Sequence, residues 1–156
     1  MFDDLKLFEV LRRHGVPLVI IGGHAVNFHG YVRATEDTDV VWQRSPEFEQ
    51  ALFRALTELD ARFIGNDIDP TTGIERTYPV TLPFVQASRL MMVITKYGFL
   101  DLFDYIPGVP SADVADLFAS SIESDGLRYA SLDQLREMKQ AAGRPKDRLD
   151  LENLPD

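Results

Sequence analysis

Two aspartates separated by one residue, Asp37-Thr38-Asp39, run directly into the apolar stretch Val40-Val41-Trp42. Side chains alternate along a strand, so the two carboxylates project from one face. Like charges on one face repel, and burying them without compensation is costly. Packing gains nothing from such an arrangement, whereas a divalent cation relieves it directly. Magnesium takes oxygen ligands and is commonly held by one or two carboxylates together with substrate phosphates. A chain carrying this segment must fold so that a strand brings its acidic end to a place where cation and anion fit.

A second segment points the same way. Residues 18–21 form a short, wholly apolar run, as expected of a buried strand, and Gly22-Gly23 breaks it. A glycine pair lets the backbone approach a phosphate closely, and the amides of a short helix over residues 25–29 would face that phosphate. Alone, a diglycine is usually a tight turn and an exposed Asp-x-Asp is usually solvated. In this order, each joined to an apolar strand, they describe a phosphate-and-metal site.

The remaining chain reads as alternating helices and short strands. Residues 2–14 suggest an amphipathic helix with Phe2, Leu5, Phe8 and Leu11 on one face, closed by Gly15. Ser45-Pro46 starts another, with a capping hydroxyl and a proline in the first turn. Residues 65–73 are turn-formers and predict a loop; 74–78 and 80–86 predict strands; 89–95 and 99–105 predict a hairpin about Lys96-Tyr97-Gly98. Ser111 is placed to cap a short helix ending near residue 120. Ser131 with Gln134 forms a capping box for a helix from 132 to about 142, which Gly143 ends, and Pro145 opens a short last one. The fold class is therefore α/β (α+β), a mixed β-sheet with helices packed on it. With 156 residues and no repeat or linker, residues 1–156 are expected to form one domain.

Composition narrows the function. The formal net charge is −9, which works against non-specific nucleic acid binding but not against a small anion held through metal ions. The chain has no cysteine, so disulfides, thiol nucleophiles and thiolate zinc sites are excluded. No apolar run is long enough to span a bilayer, and no signal peptide is evident, so no membrane association and a cytoplasmic location are expected.

Ile21-Gly22-Gly23, a spacer of about a dozen residues, and Asp37-Thr38-Asp39-Val40 together resemble the signature of the polymerase-β-like nucleotidyltransferases. Thr38 stands where an apolar residue is usual, and Gly23 where many relatives carry a serine that helps hold phosphate. The resemblance implies a third carboxylate on a later strand, and Asp101 in Leu100-Asp101-Leu102-Phe103 fits it; Asp104 is the rival, expected on the other strand face. It further implies that Asp37 and Asp39 hold two Mg2+ (or Mn2+) ions and that Asp101 joins one of them and activates an acceptor hydroxyl. The stretch from Met138 to Asp147 is similar to a subgroup of small bacterial nucleotidyltransferase-like proteins, some linked to abortive-infection and toxin–antitoxin systems. Residues 62–88 match nothing in the pattern.

The function implied is transfer of a nucleoside monophosphate from a nucleoside triphosphate to an acceptor hydroxyl on a protein, RNA or small molecule. The alternative is a nucleotide-binding or antitoxin-like module of the same fold that binds a protein partner without transfer. Hydrolysis without transfer ranks below both. Nucleotide- and phosphate-binding candidates are Gly22, Gly23, His24, Arg33, Lys139, Arg144 and Lys146. Each cation has a plainer reading. His24 either meets a phosphate or base, or bonds the backbone at a helix start. Arg33 either binds phosphate or pairs with Glu36 or Asp37. Lys139, Arg144 and Lys146 either contact a triphosphate or form a solvated helix end. His29 reads as a cap or surface residue. Arg76 and Arg89 are candidates for a pocket wall, and the Phe99, Phe103 and Tyr105 alternation reads as core packing.

Overall fold

A computed structural model of the chain describes residues 2–156. Among them the chain forms seven helices and one eight-stranded mixed sheet. The strands are β1 (Leu18–Ile21), β2 (Asp37–Trp42), β3 (Arg62–Ile68), β4 (Glu75–Pro79), β5 (Leu90–Thr95), β6 (Gly98–Phe103), β7 (Ile122–Ser124) and β8 (Leu127–Tyr129). Their spatial order is β4-β3-β5-β6-β2-β1-β8-β7. Only β2 with β6 and β1 with β8 run parallel; the other neighbours are antiparallel. The helices are α1 (Asp4–Arg13), α2 (Gly22–Phe28), α3 (Pro46–Glu58), α4 (Leu82–Ala87), α5 (Val114–Ser120), α6 (Leu132–Ala142) and α7 (Pro145–Asn153). No helix is long and apolar enough to cross a membrane among the described residues.

The period of two splits the sheet's side chains between two cores. Leu18, Ile20, Val40, Trp42, Leu100 and Leu102 point to a face covered by α1, α3 and α4, where Leu7, Leu11, Leu52, Leu56 and Val85 are buried with them. Val19, Ile21 and Val41 point the other way, against Ala25 and Val26 of α2, Leu117 of α5 and Leu135 and Met138 of α6. On that second side Asp37, Asp39, Asp101 and Phe103 occupy the same alternate positions of β2 and β6.

Local signals start and stop most elements. Ser45 caps α3 by accepting from Phe48 N at 3.0 Å, and Ser131 caps α6 from Gln134 N at 3.3 Å. Gly143, with φ +62, ends α6 in the left-handed conformation.

Several elements depart from the sequence reading for identifiable reasons. In α1 the buried stripe is Leu7, Phe8, Val10 and Leu11, while Phe2 and Leu5 are 63% and 70% exposed. Four residues spaced by three drift about 60° per step around a helix of 3.6 residues per turn, so they cannot share one narrow face. Residues 82–87 are helical rather than extended, because Thr81 accepts from Phe84 N at 3.3 Å and Pro83 sits in the first turn. The 65–73 loop is shorter than its composition suggests. Pairing of β3 with β4 carries the strand to Ile68, through a register shift that lies between Ile64 and Ile68. Helix α5 is capped by Asp113, not Ser111. The β7–β8 hairpin is an element that the sequence reading lacks, although Asp125-Gly126 joins it, both residues having positive φ as a two-residue turn demands.

Leu102 is fully buried on β6, between β2 and β5. Leu102→Ala should lower unfolding free energy by about 2–5 kcal/mol, the range for large-to-small core truncation, measured by urea denaturation.

Candidate functional site

The antiparallel turn-back from β1 to β2 places Ile21 opposite Asp39, and the parallel pairing of β2 with β6 places Asp39 beside Asp101 and Asp37 beside Phe99. All three carboxylates thus leave one face at one end of the central strands. Asp39 and Asp101 are direct register neighbours on adjacent parallel strands. Burial pushes the Asp101 carboxyl up to about 7, helped by the charges of Asp39 and Asp37. Asp39 is also raised, by burial first and by Asp37 second. Asp37, at the strand's first position, is exposed.

The diglycine is explained by what lies against it. A side chain on Gly22, whose φ is +65, would collide with the Asp39 carboxylate. A Cβ on Gly23 would stand 2.6 Å from Thr35 Oγ1. Helix α2 begins at Gly22, three residues before the expected start.

These residues open onto a cavity of about 510 Å3. Its lining is mixed: Gly22, Gly23, Arg33, Thr35, Arg144 and Lys146 are polar or glycine, and Phe103, Pro107, Leu135 and Met138 are apolar. Asp37, Asp39 and Asp101 lie on its lining, as does Lys139. His24 does not. Its ring turns towards α1, Nδ1 lying 3.4 Å from Asp4 Oδ2 and Nε2 3.2 Å from Thr38 Oγ1, edge-on to Phe8. Burial depresses its pKa. Thr38, buried between the aspartates, is the polar partner of His24. His29 Nε2 reaches the Ala130 carbonyl at 2.7 Å, tying α2 to β8.

Three of the four cations on the lining are already engaged by carboxylates. Arg33 forks onto Asp150 at 2.7 and 2.8 Å rather than onto Glu36 or Asp37. Lys139 is buried, not solvated, between Asp147 at 3.1 Å and Asp150 at 2.9 Å. Arg144 donates to Asp147 at 2.6 Å. Burial opposes ionisation of Asp147 and Asp150, but the bonds from these cations outweigh it and hold both carboxyls below their usual range. Lys146 alone of the four has no acidic partner among the described residues.

Sequence reasoning does not single out Asp147 and Asp150. Their only signal is spacing: residues 147, 150 and 154 fall on one helical stripe, and all three are buried. Thr35 carries no such signal. Asp104 faces away, held by Arg44 at 2.7 Å and Arg89 at 3.1 Å. Arg76 pairs with Asp67 on the surface, so neither Arg76 nor Arg89 walls the cavity. Phe103 packs against the second core and also lines the cavity, whereas Phe99 is exposed.

Among the described residues no group of three or more acidic or histidine side chains forms a complete cation site. The Asp39–Asp101 pair nevertheless fits a divalent ion. Two adjoining carboxylates have raised pKa values and no direct ion-pair partner among the described residues, and magnesium needs only one or two such ligands alongside phosphates.

No protein-family model matches the chain, and no curated protein matches it in sequence. Solved structures do. The solution structure of the antibiotic-resistance factor ANT(2'')-Ia superposes with a TM-score of 0.57 at 15% identity, over 96% of this chain and 80% of that one. The crystal structure of ANT(2'')-Ia in complex with adenylyl-2''-tobramycin gives 0.57 at 16%, over 96% and 83%. A candidate nucleotidyltransferase from Thermotoga maritima, TM1012, gives 0.55 at 15%, over 97% and 93%. The fold is that of the polymerase-β-like nucleotidyltransferases.

The geometry makes two measurable demands. A carboxyl whose folded pKa is raised stabilises the protein fully below its unfolded value of about 3.9 and loses that contribution as pH rises through the folded value. For Asp101 that window closes near pH 7. In metal-free buffer Asp101→Asn should therefore raise Tm relative to wild type more at pH 8 than at pH 5; an equal difference at both would mean the carboxyl is not perturbed. Asp150→Ala, which strands Arg33 and buried Lys139, should cost about 3–5 kcal/mol by urea denaturation, as expected for one partner lost from a buried ion pair.

Proposed function

We propose that the protein transfers a nucleoside monophosphate from a nucleoside triphosphate to an acceptor hydroxyl, assisted by magnesium or manganese. The observation that carries this reading is the register that sets Asp39 beside Asp101, with Asp37 on the same face, at the mouth of a cavity with one free cation on its wall among the described residues. The shared fold with nucleotidyltransferase structures agrees with it.

The roles rest on chemistry. Asp37 and Asp39 would hold the divalent ions, and Asp101 would join them in holding one. When bound, the ions neutralise phosphate charge and lower the pKa of an attacking hydroxyl. Asp101 sits where it can take the acceptor's proton. The acceptor oxygen then bonds to the α-phosphorus, the bond from that phosphorus to the β-phosphate bridge oxygen breaks, and pyrophosphate leaves. Lys146 meets the triphosphate charge, since Arg33, Lys139 and Arg144 are engaged with Asp147 and Asp150. The Gly22 and Gly23 backbone and the Thr35 hydroxyl border the phosphate end. Phe103, Leu135 and Met138 give the cavity an apolar part of its lining, against which a nucleoside would pack.

A second reading keeps nucleotide binding without transfer. It is favoured by the same sequestration of cations, which leaves little charge to stabilise a transition state.

The test separates the two. Magnesium with nucleotide should raise Tm more than either alone. Asp39→Asn should abolish both calorimetric binding and transfer of α-labelled nucleotide. Asp101→Asn should leave affinity within a few-fold while transfer falls by orders of magnitude, because its contact is made mainly in the transition state. Lys146→Ala should weaken triphosphate binding about tenfold or more, the scale of a hydrogen bond to a charged group. Wild-type protein that binds magnesium–nucleotide tightly yet labels nothing would establish the binding module instead.

A further inference from the structure

Thr35 carries the one hydroxyl among the described residues that line the cavity. It lies two residues before Asp37, in the segment that joins α2 to β2, and its Oγ1 donates to the Asp37 carbonyl at 3.1 Å. What holds it there comes from farther along the chain. Arg33 forks onto Asp150 of α7, and its Nη1 donates to the Ala34 carbonyl at 3.1 Å. The Arg33 backbone N–H donates to the Asn27 side chain at 2.9 Å. Residues 33–35 are thereby packed onto the start of α2. A Cβ on Gly23 would stand 2.6 Å from Thr35 Oγ1, 2.8 Å from Thr35 Cβ and 3.3 Å from Arg33 Nη1. Non-bonded carbons keep about 3.5–4.0 Å apart, so Thr35 fills the space that a side chain at position 23 would need. A hydroxyl borne by residue 23 and the hydroxyl of Thr35 would compete for one place on the cavity wall.

We propose that Thr35 is a phosphate-binding residue, whose hydroxyl turns from the Asp37 carbonyl to a phosphate oxygen when nucleotide enters, and that residue 23 is glycine to leave it that place. This role rests on the nucleotide reading above, in its transfer and its binding form alike. A triphosphate brings acceptors that need donors, and ionised Asp37, Asp39 and Asp101 can only accept. Donors on this wall are scarce. Arg33, Lys139 and Arg144 give theirs to Asp147 and Asp150, which leaves Lys146 and Thr35 as the side chains that can take a new partner without breaking an ion pair. The change of partner costs little, because a hydroxyl hydrogen rotates about the Cβ–Oγ bond while the oxygen stays in place. It also gains, because a hydrogen bond to a charged acceptor is stronger than one to a neutral carbonyl. Thr35, Asp37 and Asp39 then offer one donor for the anion and two ligands for its cation within five residues of chain, the combination that a magnesium-bridged phosphate requires.

The experiment measures the calorimetric affinity of the full chain for each of the four ribonucleoside triphosphates with magnesium, and for magnesium tripolyphosphate, which has neither base nor sugar. Thr35→Val keeps the bulk against Gly23 and removes the hydroxyl; it should weaken binding of every one of these ligands about tenfold. Thr35→Ser should stay within about twofold of wild type. Gly23 does not have a positive φ, so serine suits its backbone, yet Gly23→Ser alone should lose affinity because its side chain meets Thr35. Combining Gly23→Ser with Thr35→Ala frees the space and returns a hydroxyl to it from the other side. Affinity should then recover above that of either single variant, to within a few-fold of wild type. Tm is recorded for each variant, because a hydroxyl that only braces the segment behaves differently: Thr35→Val then lowers Tm and leaves affinity intact, which overturns the proposal. A double variant that binds no better than Thr35→Ala overturns it too, as does a loss that spares tripolyphosphate and so assigns Thr35 to the nucleoside. Should Gly23→Ser fail to fold, the contrast between Thr35→Val and Thr35→Ser decides alone. Wild-type protein that binds none of these ligands removes the nucleotide reading itself, and this role with it.

Discussion

Asp39 and Asp101 stand side by side on parallel strands, and much of the surrounding structure accommodates their mutual repulsion. Their pairing is fixed by five consecutive register partners between β2 and β6, so neither carboxylate can slip away without unzipping the centre of the sheet. Burial holds both carboxyls above their ordinary pKa, with the charge of Asp37 adding to it at Asp39 and those of Asp39 and Asp37 at Asp101. Glycine at position 22 leaves room for the Asp39 carboxylate, and its positive φ turns the chain straight into α2. The site is thus preorganised for a ligand that supplies positive charge, because the protein itself supplies too little nearby.

The missing charge is not for want of basic residues. Arg33, Lys139 and Arg144 all reach the cavity, but two fully buried aspartates of α7 hold their donors and offset two of the three charges. This network fastens the last helix to α6 and to the segment before β2, and it orders Arg33 beside Gly23, where Thr35 also packs. A paired, fully bonded buried network contributes little net stability compared with an apolar core, yet losing any one member is expensive. Its consequence here is geometric: the wall of the cavity is rigid, and Lys146 is the cation left to respond to a ligand.

The uneven covering of the sheet has the same logic. Helices α2, α5 and α6 close the half that carries β1 and β2, and residues of α2 and α6 line the cavity. The half that carries β3 and β5 is closed on one side only, and its open side leads from solvent to Asp101.

The sequence by itself determined what depends on neighbours within a few residues. Period-two alternation puts Asp37 and Asp39 on one face, an apolar run before Gly22-Gly23 ends β1, and the Ser45, Ser131 and Gly143 signals bound α3 and α6; each rests on local geometry that no tertiary contact needs to supply. The mixed sheet is legible in the alternation of such elements, while Asp101 is reached only through a resemblance, since no local signal links β6 to β2. Tertiary structure decided the rest. Whether Lys139 is solvated or buried, whether Arg33 meets a phosphate or a carboxylate, and which way the His24 ring turns all depend on groups far along the chain: Asp147, Asp150 and Asp4. The strand pairing of residues 65–68 overrode their turn-forming composition for the same reason. A charged side chain's partner is chosen by what burial brings within about 3 Å of it, and that distance is set by the packing of whole elements rather than by the residues beside it in sequence.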